Sequence, residues 1–384
     1  MLKERSNILL YLILATIAGY SLGGAGQVLA STPLVVNAHP GIRIHDSSYK
    51  PPPDGWPSWL PWNGEGKNKG PSYRYGPALI RHGGNQLHFW ACSQGDPDIN
   101  IADYIRYKHS SNGGVSWGAE NIALAPTPGS LDSWAVCDPS VIKIGGWYYM
   151  AYTGTKNSTA GGFTNHVFVA RSTRPDSGYQ KWNGSGWGGT PSPAVRYTGS
   201  ADNWGFGEPS MVVKDGVIYF YFTVDEGTPR TRVATAPANN PNWPGALVHH
   251  GYAISERDWA EDQTDVKYLP QVGRFIGVGI ANRFTSSSYL HVWESLDGLH
   301  FYPVDTVAAN LQPTAHNAGL SGDASGHAEM GNREYVSYSY TGPGGDWGRW
   351  DAFLNRISIG GPPYAPLNIP VKNDITPILQ LLLM

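Results

Sequence analysis

A pattern that returns at near-constant intervals constrains this chain more than any other feature. Its clearest copy is Cys137 to Thr155: an acidic residue and a proline open an apolar run (Val141, Ile142, Ile144), Gly145 and Gly146 supply a turn, and an aromatic run (Trp147, Tyr148, Tyr149, Tyr152) leads back. Such a stretch reads as a β-hairpin. Laid on it without a gap, Glu208-Pro209-Ser210 opens a second copy, with Gly216 eight positions after Glu208 as Gly146 is eight after Asp138. A third begins at Gly76-Pro77, and weaker copies begin at Asp265 and Asp323, each with a glycine eight residues on. The starts at 76, 138, 208, 265 and 323 are 62, 70, 57 and 58 residues apart. Five units of that size in an all-strand chain predict an all-β fold, a five-bladed β-propeller.

Composition agrees with many tight turns, since Gly and Pro together fill about a fifth of the 384 residues (48 and 30). No long stretch has a helical period. The 15 Trp and 22 Tyr supply flat side chains for packing between blades and for a sugar-binding face. A net charge of -3 with no basic patch excludes a nucleic-acid partner or an anionic-membrane surface.

At the N-terminus Lys3 and Arg5 precede an apolar run from Ile8 to about Tyr20, and Val28-Leu29-Ala30 offers a cleavage site before Ser31. Residues 1–30 read as a signal peptide, which directs the chain to secretion or the periplasm. The alternative is an uncleaved anchor, although the run is short for a span. Residues 31–360 then form the propeller, and residues 361–384 are a tail that leaves the repeat. An early strand within residues 31–46 is expected to complete the last blade and remove an open sheet edge. The loop 47–75 carries Trp56, Trp59 and Trp62, either as cleft walls or as a cover over a blade. The two cysteines, Cys92 and Cys137, are placed on one face by the hairpin pattern. They are either a disulfide, as export permits, or two buried thiols.

Turns after the third strands, Ser110 to Trp117 and Ser295 to Phe301, have an Asp-box flavour with Asn112 and Asp297 bonding their own backbone. They stabilise blades. The chemistry points instead to the repeat starts, because the first strand of every propeller blade lines the axis and equivalent positions converge there. Those positions are Gly76, Asp138, Glu208, Asp265 and Asp323. Carboxylates brought together raise one another's pKa, and glycosidic hydrolysis needs a protonated acid for the leaving oxygen and a carboxylate for water.

The Asp138-Pro139-Ser140 and Glu208-Pro209-Ser210 hairpins, the five-unit period and Ala170-Arg171-Ser172 resemble the five-bladed propeller glycoside hydrolases, above all family 43 and relatives that cleave arabinose-, xylose- or fructose-containing glycans. The resemblance implies Glu208 as general acid and Asp138 as the carboxylate that tunes it. It also likens His316 to a histidine near the central channel, where some members hold a cation; a structural calcium is the one ion it brings in, and no cofactor is required. The family's base is an early-blade Asp, and here that position is Gly76. Asp46 is the first replacement candidate, Asp265 and Asp323 follow, and Asp138 itself is another. Trp134 and Trp204, just ahead of the two acidic heads, are either platforms for a sugar ring or blade packing; Asp323 is also placed against substrate. Each acid has a bland reading as a strand cap. The expected partner is a carbohydrate polymer or oligosaccharide. Two further readings stay open, a non-catalytic carbohydrate-binding propeller and, through the Asp-box turns, a sialidase.

Overall fold

The computed structural model describes residues 33–45, 73–83, 85–96, 100–158, 162–255, 261, 263–341 and 350–361. The expected signal segment, the 47–72 loop with its three tryptophans, Asp46 and the tail beyond residue 361 lie outside these. Apart from one 3-10 turn at Trp243–Ala246, all regular structure among the described residues is β, and it lies within Leu34–Gly360.

The strands follow the repeat. In chain order, β1 (Val35–Ala38) and β2 (Ile42–His45) precede β3 (Arg74–His82), β4 (Gln86–Gln94), β5 (Asp103–Ser110) and β6 (Asn121–Leu124). Next come β7 (Ala135–Ile144), β8 (Trp147–Thr155), β9 (His166–Ser172) and β10 (Gln180–Lys181). The following run is β11 (Gly205–Lys214), β12 (Val217–Asp225), β13 (Pro229–Pro237) and β14 (Val248–Ile254). Then β15 (Asp265–Leu269), β16 (Arg274–Ala281), β17 (Tyr289–Ser295) and β18 (Tyr302–Val307) lead to β19 (Ala315–Leu320), β20 (Gly331–Tyr340) and β21 (Asp351–Gly360). Pairing is antiparallel throughout each run, and the strands form four sheets; the first two runs share one sheet through a single parallel pair, Asp103 with Ala135. The first strands touch in sequence, β3 to β7 to β11 to β15 to β19, and β19 returns to β3. At the seam β1 pairs antiparallel with β21, from Val35 opposite Gly360 to Ala38 opposite Ile357, so the early strand covers the edge as its sequence predicted.

Two-residue turns close two of the hairpins, β7–β8 and β11–β12. Asp215 and Gly216 join β11 to β12 with φ of 51° and 76°, the mirror-image turn that matches strand twist. Alternation then divides each strand between two neighbours. Tyr148, Met150 and Tyr152 of β8 pack toward Trp90 and Ile105, whereas Tyr149 and Ala151 pack toward Met211, Phe220 and Trp243. With apolar partners on both faces, these strands read as nearly unbroken hydrophobic runs.

Cys92 on β4 and Cys137 on β7 form a disulfide, with Cα atoms 4.9 Å apart and 45 residues between them in sequence. Closing a loop of that length removes about 4 kcal/mol of chain entropy from the unfolded state. The double variant Cys92→Ser, Cys137→Ser is expected to lose stability of that order in denaturant unfolding.

The longest of these five hairpin connections is in the last run. The connection from β19 to β20 is ten residues long, 321–330, and its carbonyls accept from the tail ends of the other four first strands. Gly322 O takes Arg81 N (2.7 Å), Ala324 O takes Lys143 N (2.6 Å), Ser325 O takes Val213 N (2.8 Å) and Gly326 O takes Tyr268 N (3.0 Å). Asp323 holds this loop in shape by accepting from the Ser325 and His327 amides at 2.8 and 2.9 Å. Asp323 is therefore a half-exposed turn residue beyond β19, and the position equivalent to Asp138 in this run is Asn317.

Candidate active site

Four first strands carry the same local device near their heads. The ladder slips between Tyr75 and Ala78, Cys137 and Ser140, Gly207 and Ser210, and His316 and Ala318. The residue inside each bulge is left-handed: Gly76 (φ 56°), Asp138 (46°), Glu208 (47°) and Asn317 (43°). A left-handed conformation costs a side-chain-bearing residue roughly 1–2 kcal/mol. Three such residues at matching positions mark a place where backbone strain is tolerated to aim side chains, as at many functional sites.

Those side chains meet in a cavity of about 420 Å³ that also receives Trp134, Trp204 and His316. Thr153 of β8 links the two acids: its Oγ1 accepts from the Glu208 amide at 2.7 Å, and its hydroxyl hydrogen-bonds the Asp138 carboxyl. Asn317 Nδ2 donates to Glu208 Oε1 at 3.2 Å. Close approach at this point needs a glycine before the acid. A β-carbon on Gly207 would stand 2.5 Å from the Trp204 ring and 2.6 Å from Thr153 Oγ1.

Asp138 is buried, and its amide donates to Cys92 Sγ at 2.9 Å. Its pKa is pushed well up, first by burial and then by the neighbouring Glu208 charge, with the Thr153 hydrogen bond acting against both. Gly76 has no room for a side chain. A β-carbon there would lie 2.5 Å from Asp138 Oδ1, so the Asp138 carboxyl occupies the space that a side chain on the first run would fill. His316 is stacked among Tyr75, Phe284 and Trp350 at ring separations of 6.1, 4.8 and 4.9 Å. Burial, then the Arg283 cation, drive its pKa well below the usual range and leave the ring neutral at pH 7.

Asp265 is corrected as a candidate. It is not among the cavity-lining residues; its carboxyl takes Lys267 Nζ at 2.6 Å, Ser210 Oγ at 2.7 Å and the Leu320 amide at 2.7 Å, tying three runs together. Asp265→Asn is expected to cost about 3–5 kcal/mol, because Lys267 is left as an uncompensated buried charge. A melting curve reads that loss, and turnover per folded molecule should stay unchanged. Asp323 is likewise away from the cavity, as described above. Asp46 is outside the described residues.

The sequence reading missed two acids that line the cavity, Asp103 and Asp225, and one cation, Arg283. Asp103 opens β5, a third strand rather than a first, so the repeat phase gave it no weight. Both nearby tyrosines donate to its carboxyl, Tyr73 to Oδ1 and Tyr75 to Oδ2. A sialidase needs several arginines around one carboxylate, but Arg74 pairs with Glu120, Arg171 lies 4.3 Å over the Trp147 ring and Arg232 4.8 Å over Tyr252, and none of the three lines the cavity. Among the described residues the metal-spaced cluster is Cys92, Cys137 and Asp138, whose sulfurs are bonded to each other. That donor set does not fit calcium, which takes several oxygens.

No protein-family model matches the sequence, and no curated protein matches it. Solved structures do. The family 117 glycoside hydrolase Zg3597 of the marine bacterium Zobellia galactanivorans is similar at 15% identity, with 84% of this chain and 90% of that chain covered and a TM-score of 0.55. The catalytic domain of the Coprinopsis cinerea family 62 α-L-arabinofuranosidase is similar at 12% identity, covering 85% and 97% at a TM-score of 0.53. A thermostable family-43 glycoside hydrolase is similar at 14% identity, covering 81% and 99% at a TM-score of 0.51. At such identities the likeness is one of fold, that of the propeller glycoside hydrolases.

Proposed function

We propose that this chain is a glycoside hydrolase on a five-bladed propeller, one blade for each antiparallel run, with Glu208 as general acid and Asp138 as the carboxyl that sets Glu208's proton affinity. The observation that carries this reading is the pairing of the two acids. Both stand in left-handed bulges at the heads of adjacent first strands and share the Thr153 hydroxyl. Burial and the mutual repulsion of the two carboxyls keep one proton on the pair, and the reactive form is the one in which Glu208 holds it and Asp138 is ionised. Glu208 gives its proton to the leaving oxygen, and Trp134 and Trp204 offer flat faces to a sugar ring.

Water is the other substrate, delivered to the anomeric carbon with inversion. The glycan is one bearing arabinose, xylose or a related furanose, in keeping with the arabinofuranosidase among the similar structures. The N-terminal segment serves export, so the polymer is met outside the cytoplasm.

Release of reducing sugar from arabinan, arabinogalactan, xylan, fructan and microbial exopolysaccharides tests the reading. Turnover that is lost in Asp138→Asn supports it. The second reading, a carbohydrate-binding propeller without turnover, is favoured by Gly76; glycan binding with no sugar released by the wild type would establish it instead.

A further inference from the structure

The reaction just proposed lacks its base. Among the described residues, four carboxyls line the cavity: Asp103, Asp138, Glu208 and Asp225. Glu208 is the acid. Asp138 is enclosed by the disulfide, by Gly76 and by Thr153, and the proton it shares with Glu208 is the one the acid step uses. Asp225 accepts from the Gly227 amide at 2.9 Å within its own turn, and the Arg283 cation stands near it.

Asp103 differs in every respect that matters. It belongs to the same run as Gly76, the place where the early acid is missing, and its backbone is fixed at the single parallel pair with Ala135. Two phenol hydroxyls hold its carboxyl: that of Tyr73, wholly buried just ahead of β3, and that of Tyr75 on β3, which itself lines the cavity. Hydroxyl donors of this kind orient a carboxylate without neutralising it, unlike an arginine or lysine partner.

Building on the hydrolase reading, we propose that Asp103 is the general base that activates water, supplied from a third strand in place of the first-strand position that Gly76 leaves empty. The carboxylate takes one proton from water as the water oxygen bonds to the anomeric carbon. The glycosidic carbon–oxygen bond breaks, its electron pair stays on the leaving oxygen, and Glu208 protonates that oxygen. One water is consumed; Asp103 ends protonated and Glu208 ionised, and exchange with solvent resets both.

Electrostatics agree with the assignment. Burial raises the Asp103 pKa to about 7, with the Tyr73 and Tyr75 hydrogen bonds pulling the other way. The charged and titratable groups around it are Tyr73 just ahead of β3, Tyr75 on β3, Arg74 behind Tyr73, and Asp138 on β7. A base must be ionised, so kcat/KM rises with pH through about 7. Tyr73→Phe removes a hydrogen bond that favours the ionised form, and that rise should move to higher pH.

The experiment compares the wild type with Asp103→Asn, Glu208→Gln and Tyr73→Phe on the glycan that the wild type cleaves and on 4-nitrophenyl arabinofuranoside and xylopyranoside. A good leaving group needs no acid but still needs activated water. Expected, then, is a loss of about 10²–10⁴-fold in kcat for Asp103→Asn on both substrate kinds, with KM unchanged. Glu208→Gln should recover on the nitrophenyl glycosides and Asp103→Asn should not. Asp103→Asn retaining more than a tenth of wild-type kcat would overturn the proposal, as would an acid limb that Tyr73→Phe leaves in place; the latter remains decisive if Asp103→Asn does not fold. A wild type that releases no sugar from any substrate is a separate failure, that of the hydrolase reading.

Discussion

Glu208→Gln is expected to lower turnover on natural glycan by about 10²–10⁴-fold, the usual worth of a positioned general acid, while leaving glycan affinity intact. The substitution keeps the local contacts. The Glu208 amide still donates to Thr153, and Asn317 Nδ2 still finds an oxygen acceptor on the amide side chain. Stability has a definite sign as well. The folded-state pKa of Asp138 lies above its unfolded value, partly through the Glu208 charge. Stability linked to that proton is present below the unfolded pKa and is lost as pH rises toward the folded one. Removing the Glu208 charge lowers the folded pKa and shrinks that loss, so the variant should melt no lower than wild type at pH 7. A variant that loses glycan binding, or that unfolds, would show Glu208 to be a structural residue.

Gly76→Asp, which writes the early-blade acid back into the chain, is expected to damage it. The position is left-handed, worth roughly 1–2 kcal/mol against any side chain. Its β-carbon would stand 2.5 Å from Asp138 Oδ1 and 3.2 Å from Asp138 Cα. Overpacking of this kind typically costs about 1–3 kcal/mol, and a further carboxyl against a buried one adds repulsion. The sum, about 2–5 kcal/mol, should appear as a lowered melting temperature together with weaker turnover, because Asp138 must leave its seat. Higher activity at unchanged stability would mean that the site had been waiting for that acid, and Asp103 would lose its role.

Much of this arrangement was legible in the sequence because the acids sit in bulges whose Asp-Pro-Ser and Glu-Pro-Ser spelling is regular. Asp138, Glu208, Trp134, Trp204 and His316 do converge on one cavity. The phase failed where a loop of uncommon length intervened. The 321–330 connection moved the apparent fifth start from Asn317 to Asp323, and nothing in the spacing marks an insertion that keeps Gly331 in register. Asp265 is out of phase as well: Gly76, Asp138 and Glu208 each stand five residues before the tail amide of their strand, whereas Asp265 stands three before Tyr268, level with Ser140 and Ser210, and a lysine two residues on pairs with it. Asp103 was invisible for another reason. Its chemistry depends on hydroxyls 28 and 30 residues earlier in the chain, from Tyr75 and Tyr73.

The 321–330 loop also sets an order in time. Four strand tails, ending with amides at Arg81, Lys143, Val213 and Tyr268, have their acceptors on a segment made after all of them. At synthesis rates of about 5–20 residues per second, the first of those tails waits roughly 10–50 s for its partner. The cavity is subject to the same delay, since Tyr75 comes from the opening of the ring and Asn317 from its last first-strand. A nascent chain therefore carries acids and aromatics that face no common space until the last run has been made, and the site comes into being only when the ring shuts.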